Sequence, residues 1–234
     1  MKRRMLRYIK ENVRKSQNTT RERYIYGDKL VYLTDQLPYS FNLGYVLKTV
    51  EELIPSYLVH NIDTIYVGDF DNFNYNGRNY NAAYENGAIY VSNSQDDEND
   101  MIDDVVHEVA HAVEEQHGEQ IYGDSSVQNE FLGKRERLYH LLEQEGYDVS
   151  YNDAMDAEYN EQFDNFLYKT VGYPTLMSLT MGLFYSPYAA TSIREYFANG
   201  FENYFLRDKG YLKKVSPILY NKITEVIEER EDET

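Results

Sequence analysis

The chain has 234 residues, of which 40 are Asp or Glu and 23 are Lys or Arg, giving a formal net charge of −17. This balance argues against nucleic-acid binding by the acidic body, and the absence of Cys excludes disulfide bonds and thiolate metal sites. With 42% hydrophobic residues and no Gly/Ser-rich or Pro-rich linker, the sequence predicts one domain over residues 1–234.

The first 23 residues form a basic N-terminal extension. They contain nine Lys or Arg and two acidic residues, whereas the remaining residues contain 14 basic and 38 acidic ones. Leu6, Ile9 and Val13 fall on one helical stripe among the basic residues, which suits contact with an acidic membrane or with nucleic acid. A helix packed on the domain or a solvated extension is the alternative interpretation.

No targeting or membrane segment is recognisable. The basic start of the chain is not followed by an apolar stretch of the length that a signal peptide needs, and no apolar run is long enough to cross a bilayer. We therefore expect a soluble protein that is cytoplasmic, associated with a virion or exported by a non-standard route.

The pattern along the chain predicts short strands followed by helices. After a helical pattern at 43–58, strands are expected at 64–67, 80–84 and 88–92, with Asn-Gly turns at 76–77 and 86–87. Helices are expected at 98–116, 126–145, 153–170, 192–207 and 214–230, with irregular connections near Gly172-Tyr173-Pro174 and Ser186-Pro187. Strands first and helices afterwards are typical of an α+β fold.

The stretch His107-Glu108-Val109-Ala110-His111 carries the strongest chemical signal. Because residues four apart share a helical face, His107 and His111 can both bind one zinc ion, with Glu108 beside the water that attacks the substrate. Zinc hydrolases need neutral imidazoles, one open position for water, and a carboxylate that takes the proton of that water. The motif supplies two imidazole ligands and the carboxylate. A third protein ligand has to come from elsewhere in the chain.

The sequence around the motif predicts the helix that this chemistry requires. Apolar residues recur at helical spacing, and the acidic run from Asp96 to Asp104 suits the positive end of the helix dipole. We expect the helix to begin near Asp97, with Ser94 as a candidate N-cap, and to end near Gly118.

His117 is the first candidate for the third ligand. It follows His107 by ten residues, which is the spacing of the third His in the metzincin pattern HExxHxxGxxH. That pattern has Gly where the chain must turn back to the metal with positive φ, and Glu114 stands there in this chain. His117 is therefore also readily explained as a helix C-terminal residue before Gly118.

Glu195 is the second candidate. Phe197, Phe201, Tyr204 and Phe205 recur at helical spacing, so a helix is expected to begin at Ser192 as N-cap and to carry Glu195 in its first turn. A carboxylate there is favoured by the helix dipole and can enter a site near the core. The alternative is that Glu195 only caps the free backbone N–H groups of the helix.

The motif at 107–111 and the segment Glu195-Tyr196-Phe197-Ala198-Asn199-Gly200-Phe201 together resemble the catalytic domain of anthrax lethal factor and its relatives, which include the Pro-Pro endopeptidases. The resemblance extends over residues from about 87 to 205. It implies a zincin-like domain with a small N-terminal mixed sheet, an active-site helix and a mainly helical C-terminal part.

The resemblance also implies roles for single residues. One Zn²⁺ would be bound by His107, His111 and Glu195, the gluzincin arrangement, with Glu108 as general base. In that family a Tyr seven residues before the ligand Glu helps to stabilise the oxyanion, and Tyr188 stands at this position.

Tyr151 and Glu158 repeat the same spacing and form a competing pair. Glu158 lacks the Phe-Ala-x-Gly-Phe run that follows Glu195, and its neighbours Asp153, Asp156, Asn160 and Glu161 favour a solvated face.

These features predict a zinc-dependent endopeptidase that acts on a protein or peptide substrate. If the strand from Gly87 to Ser94 is an exposed sheet edge, an extended substrate can pair with it; a sheet edge without substrate contact is the alternative. The competing functions are a metzincin-type protease that uses His117, a zinc hydrolase that is not a protease, and an inactive toxin-like or phage-borne binding module.

Overall fold

The computed structural model describes residues 21–75 and 78–228 of the chain. The predicted basic stripe of Leu6, Ile9 and Val13 lies outside the described residues, and so does the predicted Asn-Gly turn at 76–77. The fold is α+β, with the strands in the N-terminal half of the chain, as the pattern predicts.

Five strands form a mixed sheet, and four further residues form a short two-stranded ribbon. The strands in chain order are β1 Glu22–Ile25, β2 Lys29–Leu33, β3 Thr64–Gly68, β4 Asn74–Tyr75, β5 Arg78–Asn79, β6 Ala82–Glu85 and β7 Ala88–Ser92. The sheet order is β1-β2-β3-β7-β6, with parallel pairing of β3 to both β2 and β7 and antiparallel pairing at both sides of that centre.

The predicted exposed edge at Gly87 to Ser94 is wrong. Strand β7 pairs with β3 on one side and with β6 on the other, so β6 is the edge strand of the described sheet. The reason is the turn between β6 and β7, where Asn86 (φ 48°) and Gly87 (φ 82°) both adopt positive φ. Such a turn folds the preceding strand back onto the following one, so the Asn-Gly pair that predicts the hairpin also covers β7.

The alternation along the central strands divides the sheet into two faces. On one face, Val31, Ile65 and Ile89 are buried and lie in register across β2, β3 and β7. On the other face, Tyr66 and Tyr90 are paired and their rings stack with centroids 5.2 Å apart. The sheet therefore has an apolar core face and a half-buried aromatic face.

Nine helices are described. They are α1 Leu43–Leu53, α2 Glu98–Tyr122, α3 Ser126–Gln144, α4 Tyr151–Ala154, α5 Glu161–Asn165, α6 Tyr173–Thr180, α7 Ile193–Leu206, α8 Lys209–Val215 and α9 Pro217–Glu228. Short 3₁₀ segments at Ser56–Val59, Asp71–Phe73 and Tyr188–Ala190 and a π-helical segment at Phe166–Val171 complete the helical structure of these residues.

Three predicted helices are broken in the structure, and two prolines and one N-cap residue explain the breaks. The helical pattern at 43–58 ends at Leu53, before Pro55. The pattern at 153–170 is interrupted because Asn160 caps α5, accepting hydrogen bonds from the backbone N–H groups of Gln162 and Phe163. The pattern at 214–230 divides before Pro217, which opens α9.

The helix that carries the HExxH motif begins where the sequence predicts, and it kinks at His117, next to its predicted end near Gly118. Asp97 is its N-cap, since Asp97 Oδ1 accepts from the backbone N–H groups of Asn99 and Asp100, and Ser94 does not have this role. The helix continues to Tyr122 past a kink at His117, whose φ of −114° and ψ of 16° depart from helical values.

The described residues fall into two compact units, one up to Ala112 and the other from Val113 onward, and the division lies within α2. The first contains the sheet and α1, and the second contains α3 to α9. None of the helices in the described part of the chain is long and apolar enough to span a membrane.

Candidate metal centre

His107 and His111 lie one helical turn apart on α2, as the motif predicts. Their ring centroids are 5.2 Å apart, and the rings are nearly perpendicular, with an interplanar angle of 79°. His111 is 9% exposed and Glu108, between them in sequence, is 7% exposed. A carboxylate buried to this degree is costly unless its surroundings use its charge, which marks Glu108 as a functional candidate.

Glu195 lies in the first turn of α7. The hydroxyl of Ser192 accepts a hydrogen bond from the backbone N–H of Glu195 over 3.2 Å, so Ser192 is the N-cap of this helix as predicted. One ligand atom each from His107, His111 and Glu195 lies within 4.8 Å of the other two. The three residues that the resemblance implies as ligands are therefore brought together.

This donor set fits zinc. Two imidazole nitrogens and one carboxylate oxygen are the protein ligands of many catalytic zinc sites, where each donor lies about 2.0 to 2.2 Å from the ion. Donors at that distance are separated by roughly 3 to 4 Å, so a group within 4.8 Å needs only small side-chain adjustments to close on an ion. Three protein ligands also leave a fourth position open for water.

His117 and Glu158 do not belong to this group among the described residues. The Nδ1 atom of His117 lies 3.2 Å from Oε1 of Gln120, one turn further along α2. Glu158 is exposed and lies in the loop between α4 and α5. Its partner in the competing spacing, Tyr151, is 49% exposed.

Glu114 occupies the position of the metzincin Gly and has a different role. It is buried and accepts hydrogen bonds from the hydroxyl of Tyr122 over 2.5 Å and from Nε of Arg194 over 2.8 Å. Burial and the adjacent Glu114 raise the pKa of Tyr122 well above its usual value, so its hydroxyl stays a donor. The carboxylate thus ties the end of α2 to the residue before Glu195.

Sequence reasoning missed this tie. The available signal was an Arg directly before the candidate ligand, together with a carboxylate one turn after His111. The sequence alone does not show that these two side chains meet, because they are 80 residues apart.

Asp104 adds a second carboxylate to the α2 face that carries His107. Burial raises the pKa of Asp104 to about 6, against the opposing effects of a hydrogen bond from Gln95 and of the charge of His107. The bond from Gln95 Nε2 to Asp104 Oδ2 measures 2.8 Å. This carboxylate contributes to the electrostatic environment of the first imidazole.

Tyr188 lies in the 3₁₀ segment immediately before α7 and is 36% exposed. Its backbone carbonyl accepts from the hydroxyl of Thr191 over 2.8 Å, which fixes the turn that carries it. The oxyanion role that the resemblance implies for its hydroxyl remains a prediction.

Comparison of the chain with protein-family models, with curated proteins and with solved structures gave no match.

Proposed function

We propose that this protein is a zinc-dependent hydrolase of the gluzincin type that cleaves peptide bonds. The observation that carries the proposal is the grouping of His107, His111 and Glu195, since two of these donors come from an HExxH helix and the third from a helix 84 residues further along the chain. Local spacing explains the first two positions but not the third. A metal site gives one reason for all three.

The residues divide into ligands and a base. His107, His111 and Glu195 would hold the ion, and zinc bound there would polarise a water molecule and the carbonyl group of the substrate. Glu108 follows the first ligand directly and is buried, which suits a group that takes the proton of the attacking water and returns it to the leaving amine.

Tyr188 is the proposed donor to the oxyanion that forms when water adds to the carbonyl. Its position on a turn fixed by Thr191 and its partial exposure are compatible with a hydroxyl that meets substrate. A phenol hydroxyl can donate a hydrogen bond.

The proposal is tested on the purified full chain by measuring zinc content and then incubating the protein with an unbiased peptide library analysed by mass spectrometry. We expect one zinc per chain, defined cleavage products, and no products from zinc-loaded Glu108→Gln. Absence of bound zinc would contradict the metal site. Bound zinc without peptide cleavage, combined with hydrolysis of small ester or amide substrates, would replace the protease by a different zinc hydrolase.

A further inference from the structure

The guanidinium group of Arg135 is buried and bonded to backbone carbonyls from two separate segments. Arg135 is 1% exposed. Its Nε donates to the carbonyl of Ala154 over 2.8 Å, and its Nη2 donates to that of Asp153 over 2.9 Å. Its Nη1 donates to the carbonyls of Ala190 over 2.6 Å and Thr191 over 3.4 Å. Each of the four acceptors is a main-chain oxygen.

Aromatic rings and carbonyl dipoles surround this charge. The guanidinium carbon lies 4.0 Å from the ring centroid of Phe163 and 5.4 Å from that of Phe131. Burial lowers the pKa of Arg135 to about 10, with an opposing attraction from Asp156, so the group remains charged at neutral pH. A buried charge of this kind is stabilised only while the carbonyls stay in place, because losing one acceptor leaves an unpaired donor.

The second of the two segments leads directly into α7. The hydroxyl of Thr191 donates to the carbonyl of Tyr188, and the backbone N–H of Ile193 donates to the carbonyl of Ala157 over 2.8 Å. Arg135 binds the carbonyls between these two bonds. The stretch from Tyr188 to Ile193 is thus closed internally by Thr191 and held to other segments by Arg135 and by the carbonyl of Ala157.

We propose that Arg135 is a positioning residue that holds the stretch 188–195 in the conformation in which Tyr188 and Glu195 take part in the site. The inference rests on the proposed function, since it assigns Arg135 an effect on zinc affinity. The planar fork of the guanidinium matters, because three nitrogens in fixed directions reach carbonyls of both segments at once. A Lys ammonium at the same position has three N–H donors on one nitrogen and cannot reach all four carbonyls.

Lys134 provides a matched control on the same helix. It is also buried, at 7% exposed, and its ammonium donates to two backbone carbonyls, those of Leu183 and Val215, each over 2.6 Å. Both acceptors lie outside the stretch 188–195. Replacing Lys134 therefore disturbs a buried cation of similar kind without releasing the carbonyls before α7.

The test compares Arg135→Lys with Lys134→Met in the full chain, using zinc titration and amide hydrogen exchange of residues 188–195. We expect Arg135→Lys to weaken zinc binding by about 10- to 100-fold, the scale of changes to groups that orient metal ligands. Exchange should become faster in 188–195. Lys134→Met should lower thermal stability but leave zinc affinity and exchange in that stretch within about twofold.

Unchanged zinc affinity and exchange in folded Arg135→Lys would overturn the proposal, and so would equal changes in both variants, which would indicate general loosening. If wild-type protein bound no zinc, the proposed function would fail separately; hydrogen exchange would then still decide whether Arg135 anchors 188–195. Should Arg135→Lys not fold, Arg135→Ala with guanidinium ion added below denaturing concentrations replaces it. Zinc affinity that fails to recover with the added ion would contradict the positioning role.

Discussion

Buried polar side chains have different meanings in the two parts of the chain. Among the described residues up to Ala112, the buried polar or charged side chains are Glu108 and His111, both from the HExxH motif. From Val113 onward buried polar residues are numerous and include Glu114, Lys134 and Arg135. Lys134 and Arg135 donate to backbone carbonyls, and Glu114 accepts from the side chain of Arg194. Each of these contacts joins separate helical segments.

The difference between the two parts shows in which surroundings a buried charged side chain indicates a functional role. In the sheet-containing part the core is otherwise apolar, so the two buried residues of the motif stand out and agree with the proposed site. In the helical part, buried charges stabilise junctions between short helices, where backbone carbonyls at helix ends need donors. Burial therefore agrees with the proposed role of Glu108 as general base, whereas the burial of Arg135 is explained by its bonds to backbone carbonyls.

The largest effect is expected at Glu108. The change Glu108→Gln should lower turnover by about 10² to 10⁴, because the amide cannot accept the proton of the attacking water. Stability should stay the same or rise, since a buried charge is removed. Peptide cleavage, zinc content and urea unfolding measured on the same preparation check this. A strongly destabilised variant that keeps full turnover would show that Glu108 is structural, like the buried charges of the helical part.

At Tyr188, the change to Phe should lower turnover by about 10² to 10³ through loss of one oxyanion donor, with zinc affinity unchanged. The measurement is kcat at saturating substrate. Tyr185→Phe is a nearby control, because Tyr185 lies outside the turn and its ring packs against that of Tyr211. Equal turnover in wild type and Tyr188→Phe would return Tyr188 to a packing role.

Gly200 tests whether close helix packing explains the Gly in the segment from Glu195 to Phe201. A Cβ added there would lie 2.4 Å from Cδ2 of Leu219, which is 1% exposed in α9, so Gly200→Ala should destabilise the protein by about 1 to 3 kcal/mol. Gly133→Ala is the control, since Gly133 is an exposed helical residue whose added Cβ meets nothing within 4 Å. It should stabilise by about 0.5 to 1 kcal/mol. Urea unfolding that ranks the two variants the other way would refute this packing argument.

The smallest effect is expected at Lys134. This residue tests how much a buried charge lowers the free energy of unfolding in the helical part. Burial lowers the pKa of Lys134 to about 8, against an ordinary value of 10.5. The folded protein therefore binds fewer protons than the unfolded chain between these values, and the free energy of unfolding should rise with pH across that window. We expect wild type to gain about 1 to 2 kcal/mol more than Lys134→Met between pH 8 and 10. Parallel pH profiles for the two proteins would contradict this.

Much of the helical framework could be predicted because local signals determine it. His107 and His111 are four residues apart, Asp97 precedes an amphipathic stretch, and Ser192 stands before another, so each helix start follows from neighbouring residues. Two strands of the five-stranded sheet, β1 and β2, were missed although Gly27 was a turn signal between them. Tyr26 and Gly27 both have positive φ and form the turn between β1 and β2. Because β1 is only four residues long, its sequence pattern is too short to predict a strand.

Helix α6 was missed for a related reason. Gly172 and Pro174 read as an irregular connection, yet Gly172 (φ 83°) ends one segment and Pro174 is well tolerated in the first turn of the next. The contacts that complete the candidate site were beyond sequence reasoning. The bonds from Arg135 to Ala190 and from Arg194 to Glu114 join residues 55 and 80 positions apart, and no local pattern pairs them.

The most direct test of the proposed centre is zinc titration of the wild type beside Glu195→Ala, His117→Ala and Glu158→Ala. We expect one zinc per wild-type chain and a loss of affinity of more than about 100-fold in Glu195→Ala, because removing a ligand should exceed the effect of outer residues. His117→Ala and Glu158→Ala should bind zinc like the wild type. Weakened binding in either of these two, with Glu195→Ala unaffected, would contradict the grouping of His107, His111 and Glu195 as the metal site.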